Sequence, residues 1–208
     1  MANAGFFNKV TVDAVIAAYK KMGYPLCEKG EYNLNIFGIR NEDDRDSNNF
    51  NDVIGVLYKK AGNWVLKKYD ATTDPGLSGR LNPMNVNGVA VLVPGCYKGC
   101  WKVGLHQGKY QALKQYRPVK VYRDNNKDTK LNLDPKTIEE GMFGINIHRA
   151  TAVEGLTSKI VNGFSHGCQV VAANNDFREF MTLVNTSAKT YGDVFSYTLF
   201  RQSEFFPK

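Results

Sequence analysis

The sequence predicts a mainly β fold with a few α-helices. Three observations carry this: apolar residues alternate with period two in several short runs, only two stretches keep helical spacing, and no internal repeat, low-complexity tract or linker interrupts the chain. A chain of 208 residues with 43% hydrophobic content can bury a real core and suits one domain. Residues 1–30 read as an N-terminal helical addition packed on it.

The elements follow in order. Thr11 caps a helix whose apolar residues Val12, Val15, Ile16 and Tyr19 fall on one face, and Gly23 with Pro25 ends it. Packing on the body accounts for this amphipathic helix better than a membrane-surface role, because its polar face is short. From Tyr32, Leu34 and Ile36 alternate with Asn33, Asn35 and Phe37, as in a strand. Asn41 to Asn51 is a charged loop whose Asp44, Asp46 and Asn48 mimic the start of a calcium loop. The required glycine and the closing glutamate are replaced by Asn49 and Gly55. Val53–Tyr58 and Trp64–Tyr69 read as a hairpin turning through Ala61-Gly62-Asn63, and a long connection spans Ala71 to Pro83. Val89–Val93 and Trp101–Leu105 read as a second strand pair around Pro94-Gly95. Val119–Tyr122 is a strand before a turn at Asp124-Asn125-Asn126, where Asp124, Asn126 and Asp128 again sketch a calcium ladder with Thr129 in the glycine position. Phe143, Ile145 and Ile147 alternate with Gly144, Asn146 and His148, placing His148 at a strand end. Asn175 caps a helix carrying Phe177, Phe180, Met181 and Val184, and Val194–Phe200 closes the chain as a strand.

The formal charge of +7 favours anionic partners without choosing among them. Lys and Arg are scattered and no nucleic-acid motif is present, so nucleic acid is not an expected partner. No run is long enough to span a membrane, and the N-terminus has no signal-peptide hydrophobic core; the expectation is cytoplasmic synthesis without stable membrane insertion. Nothing in the sequence sets an oligomeric state. Four cysteines in a cytosolic chain do not indicate a disulfide framework. Cys96 and Cys100 can bridge in a hairpin or join His106 as zinc ligands, but the spacing fits no standard module, so neither metal nor cofactor is expected. Cys27 reads as a small buried apolar side chain.

The chemistry concentrates between His148 and Cys168. A cysteine is nucleophilic as its thiolate, and an imidazole close in space can draw the proton away. His148 is the candidate base, from a separate strand. His166, two residues from Cys168, is less suited to proton transfer and is assigned to the pocket. Ser165-His166-Gly167 can turn the backbone so that N–H groups converge on an oxyanion, which places Ser165 and Gly167 in the catalytic set. His106, Asn146, Arg149 and Gln169 join His166 as substrate-binding candidates. Arg149 offers a planar fork for a carboxylate, and Gln169 can either bond substrate or hold the site loop.

One histidine, sixteen intervening residues and then Ser-His-Gly-Cys resembles the active-site signature of L,D-transpeptidase catalytic domains, the cysteine enzymes that act on peptidoglycan stem peptides. Further stretches resemble a phage and bacterial cell-wall-cleaving branch: Tyr32–Arg40, Tyr69–Gly76, Gly104–Leu113, Arg123–Asp128 and Gly141–Ala150. The resemblance implies a mixed β-sheet fold, a Cys168 nucleophile with His148 as its base, peptidoglycan as partner, and action at the cell wall after release by lysis or from a virion. Arg149 and Gln169-Val170 depart from the signature beside base and nucleophile, and the cytosolic expectation favours a hydrolase over a wall-building transferase. The alternatives are an L,D-transpeptidase proper, or a virion or wall-binding protein that keeps the scaffold without turnover.

Overall fold

The computed structural model describes residues 4–43 and 48–206, so Asp44 and Asp46 of the first calcium-like run lie outside the described residues. The chain begins with α1 (Ala4–Lys9) and α2 (Val12–Lys21), then β1 (Asn35–Arg40), β2 (Asp52–Lys60) and β3 (Asn63–Thr72). A short α3 (Leu77–Leu81) leads to β4 (Val89–Leu92), β5 (Gly95–His106), β6 (Tyr110–Gln115), β7 (Val119–Asp124) and β8 (Glu139–Gly141). The last elements are β9 (Ile147–Arg149), β10 (Gln169–Val171), α4 (Asn174–Tyr191), β11 (Val194–Arg201) and α5 (Gln202–Phe205). Eight strands close into a barrel in the order β1-β11-β5-β6-β9-β10-β3-β2, and β4-β7-β8 form a separate small sheet. The molecule is mainly β, as its alternating pattern predicts.

Side-chain alternation gives the barrel two apolar faces. Ile36, Ile54, Val56, Tyr69, Ile147, Val171 and Leu199 share one buried cluster with the α4 face formed by Phe177, Phe180, Met181 and Val184. Trp101 is fully buried in the same cluster; its Nε1 donates to Ile145 O at 2.8 Å, which satisfies the indole while it packs. The opposite faces of β1 and β2 carry Phe37, Ile39, Val53 and Leu57, covered by Val15, Ala18 and Tyr19 of α2 and Phe205 of α5. Thr11 Oγ1 accepts from Ala14 N at 3.2 Å at the start of α2. The Lys68 ammonium ties the preceding turn to the barrel through Phe7 O and Val10 O.

Several boundaries differ from the sequence pattern. β1 starts at Asn35 rather than Tyr32, because Tyr32 sits at φ 54°, outside the extended region. The hairpin over Ala61-Gly62 forms, with both residues at positive φ and their N–H groups held by the Glu31 carboxylate. The second predicted pair does not: β4 pairs with β7, whereas β5 pairs with β6 and β11, so the chain changes sheets at Pro94. Alternation cannot reveal this, since both strands have an apolar face whichever neighbour they take. The predicted strand from Phe143 shortens to β9, with His148 at its centre. The α4 helix begins at Asn174 after Ala173, and Asn175 instead accepts from Gly155 N. Among the described residues no helix is long and apolar enough to cross a membrane.

Candidate active site

The segment before β10 is fixed by its own polar atoms. Ser165 is fully buried; its hydroxyl donates to Cys168 O at 2.8 Å and accepts from Gly167 N at 3.1 Å. Gly167 stands at φ 115°, and a Cβ there would lie 2.3 Å from Ala90 O, so only glycine fits this turn. Ser165 and Gly167 therefore shape the turn. The Gly167 N–H is occupied by Ser165, which corrects the expectation that successive N–H groups of this run are free for an oxyanion. Among the described residues the Cys168 N–H has no acceptor, and it remains the donor beside the sulfur.

The pairing of β9 with β10 sets the segments that carry His148 and Cys168 side by side. The strands run parallel, with Gln169 opposite Ile147 and Val170 opposite His148. One step earlier Cys168 faces Asn146, whose N–H approaches Sγ at 3.5 Å, and Sγ–H points to Gly144 O at 3.4 Å. Because side chains alternate, Cys168, Asn146 and His148 share one face. Two residues along a strand and one strand across place the Cys168 and His148 Cα atoms about 8 Å apart, a span their side chains can close. His148 Nδ1 lies 2.9 Å from Arg149 O; a carbonyl only accepts, so Nδ1 carries the hydrogen and Nε2 keeps the lone pair a base needs.

Both groups are neutral at rest. Burial pulls His148 down to about 4, with a smaller push from His106, against the opposing Arg149 carbonyl. Burial pushes the half-buried Cys168 thiol up to about 11, partly offset by the Asn146 N–H. At neutral pH the proton therefore sits on sulfur and the His148 Nε2 lone pair is free to accept one.

The remaining candidates separate into those facing the site and those turned inward. Gln169 is fully buried, donates to Thr73 O at 3.3 Å and Gly167 O at 3.4 Å, and accepts from Tyr197 Oη at 3.0 Å. Its amide is fully engaged in holding the loop, which corrects its assignment as a substrate group. Asn146 accepts from Gln115 N at 2.9 Å and donates to His106 Nδ1 at 3.2 Å, so its side chain organises the site. His106 is buried and stacks on His148 with ring centroids 4.1 Å apart. The Arg149 guanidinium lies 4.1 Å from the Tyr110 ring centre, half-buried at the edge of the site. His166 lines a cleft of about 330 Å³ with Met84, Ala90, Arg123, Met142 and Phe143, directly beside the Ser165–Cys168 turn. Its Nδ1 is buried without a hydrogen-bond partner.

Sequence reasoning missed the support behind Gln169. Arg40 pairs with Asp74 at 2.7 Å and donates to Thr73 O and Leu92 O, while Asp52 accepts from Asn41 N, Thr73 N and Thr73 Oγ1. The only available signal was the charged residues in otherwise apolar strand ends. The cysteine expectations also change: Cys27 is exposed, and Cys96 and Cys100 lie on one strand as free thiols. His106 stands at the far end of that strand against His148, so the three do not assemble as zinc ligands. In the second calcium-like run, Asn126 donates to Asp128, and Asp128 and Asp124 accept from Lys130 N and Asn132 N. No family model, no curated protein and no solved structure matches this chain.

Proposed function

We propose that this protein is a cysteine acyl-transfer enzyme of the L,D-transpeptidase type, acting on peptidoglycan stem peptides and releasing the acyl group mainly to water. The observation that carries the chemistry is the juxtaposition across β9 and β10: a thiol and an imidazole on one face, the imidazole tautomer fixed by Arg149 O, and a main-chain N–H beside the sulfur. Attack of Sγ on an amide carbonyl forms the C–S bond as His148 Nε2 takes the thiol proton; that proton then goes to the departing amine as the C–N bond breaks. Water, deprotonated by the same nitrogen, then adds to the thioester carbonyl; the C–S bond breaks, the acid leaves and the proton returns to sulfur. The choice of peptidoglycan rests on the resemblance of the His148–Cys168 spacing and the neighbouring stretches. The cleft lined by His166, two residues before Cys168 in the chain, supports a reading with one bound peptide and water as acceptor.

The test is incubation of purified muropeptides with the protein and a D-amino acid in excess, read by product mass. Shortened peptides as the main product, absent with Cys168→Ala, are expected. Mainly exchanged or cross-linked peptides would make it a transferase, because a thioester partitions according to which nucleophile is best placed. No products from the folded protein would favour the binding-protein alternative.

A further inference from the structure

His106 arrives from the end of β5, a strand that takes no part in the β9–β10 pairing, yet its ring lies on the base. The two imidazoles are 4.1 Å apart at 23°, in a stacked arrangement, and both are nearly inaccessible to solvent. The orientation of His106 is set unambiguously. Gln115 N can only donate, so it must meet Asn146 Oδ1; the Asn146 amide nitrogen then faces His106, making His106 Nδ1 an acceptor and leaving its hydrogen on Nε2. The same Asn146 offers its main-chain N–H to the Cys168 sulfur. One asparagine therefore links the β6 backbone, the His106 ring and the thiol.

We propose that His106 is a positioning residue for His148: it seals one face of the base from water and, through Asn146, locks that ring to the strand that carries the thiol's neighbour. This rests on the reading of His148 as the base and goes beyond it, since nothing in the Cys-His pairing requires a second imidazole. The surroundings of His106 disfavour its charged form. On β6 and its turn stand Lys109, Lys114 and Tyr110, on β9 the base itself and Arg149, the latter stacked on Tyr110, and beyond them lies Cys168. The two lysines and burial all disfavour a proton on His106. A neutral ring shields His148 and tolerates the imidazolium that forms during attack; a charged one would oppose it. Arg149 packs on Tyr110, whose ring also meets His106 at 5.4 Å and Phe177 of α4 at 6.2 Å.

The experiment is an NMR titration of the His148 ring between pH 3 and 8 in the folded full chain, for wild type, His106→Ala and His106→Phe. Removing the ring in His106→Ala admits water to His148, and its titration should move toward that of a free imidazole by about one unit or more. His106→Phe keeps the stack and should stay closer to wild type, and it supplies a packed variant if the alanine protein is unstable. The acid limb of kcat for muropeptide turnover should move with the NMR midpoint while KM changes little. An unchanged His148 midpoint in His106→Ala, or equal shifts in both variants, would overturn the proposal. The titration needs no turnover, so failure of the peptidoglycan reading would leave a shifted His148 with no activity, a result distinct from failure of the positioning role.

Discussion

At the residue scale, the site is set by which polar atoms are already occupied. Arg149 O fixes the His148 tautomer, Ser165 consumes the Gly167 N–H, and Gln169 spends its amide on Thr73, Gly167 and Tyr197. A pH dependence follows from His148. Its folded value of about 4 lies below the usual 6.5, so between these the unfolded chain binds more protons than the folded one. Its contribution to stability is complete above about pH 6.5 and is lost as the pH falls toward 4. The full difference is on the order of 3 kcal/mol. Thermal melts of wild type and His148→Gln across pH 4–7 should therefore converge on acidification, with the wild type losing more. Parallel curves would contradict a neutral buried His148.

At the element scale, the candidate site is built on the short β9 and β10, and their neighbours hold them. Gln169 points inward from the position next to Cys168, so Gln169→Leu should destabilise the fold by about 1–3 kcal/mol by stranding its buried partners. Turnover should fall as well, although the Gln169 side chain is fully buried and bonded inward; melts and muropeptide assays on the same sample measure both, and a stable, fully active Gln169→Leu would refute the loop-holding role. The hairpin of β2 and β3, α2, the apolar face of α4 and β11 were legible because each is a local pattern. The sheet exchange at Pro94 was not legible, because period two says which face is apolar and not which strand is the neighbour. Within the candidate site, the glycine turn before Cys168 and the origin of His148 on a separate strand could be read from residue type and spacing. The inward turn of Gln169 and the His106 stack depend on contacts with Tyr197 and Asn146 far away in sequence.

At the scale of the whole molecule, a buried polar cluster joins the barrel to the small sheet behind the site. Arg40 of β1 reaches Asp74 and Thr73 after β3 and Leu92 O of β4, and Thr73 O also receives Gln169. Arg40→Met removes the guanidinium paired with the buried Asp74 carboxylate and should cost about 3–5 kcal/mol. Denaturant unfolding measures this; a loss within the range of an exposed substitution would mean the cluster is not what couples the two sheets. The central claim is that all of this framework presents one thiol for covalent catalysis. Its most direct test is the intact mass of the protein after rapid mixing with muropeptides and acid quenching. The expected result is a transient adduct of an acyl fragment, localised to Cys168 and absent from Cys168→Ala. Muropeptide turnover that persists in a folded Cys168→Ala protein, with no adduct on the wild type, would contradict it.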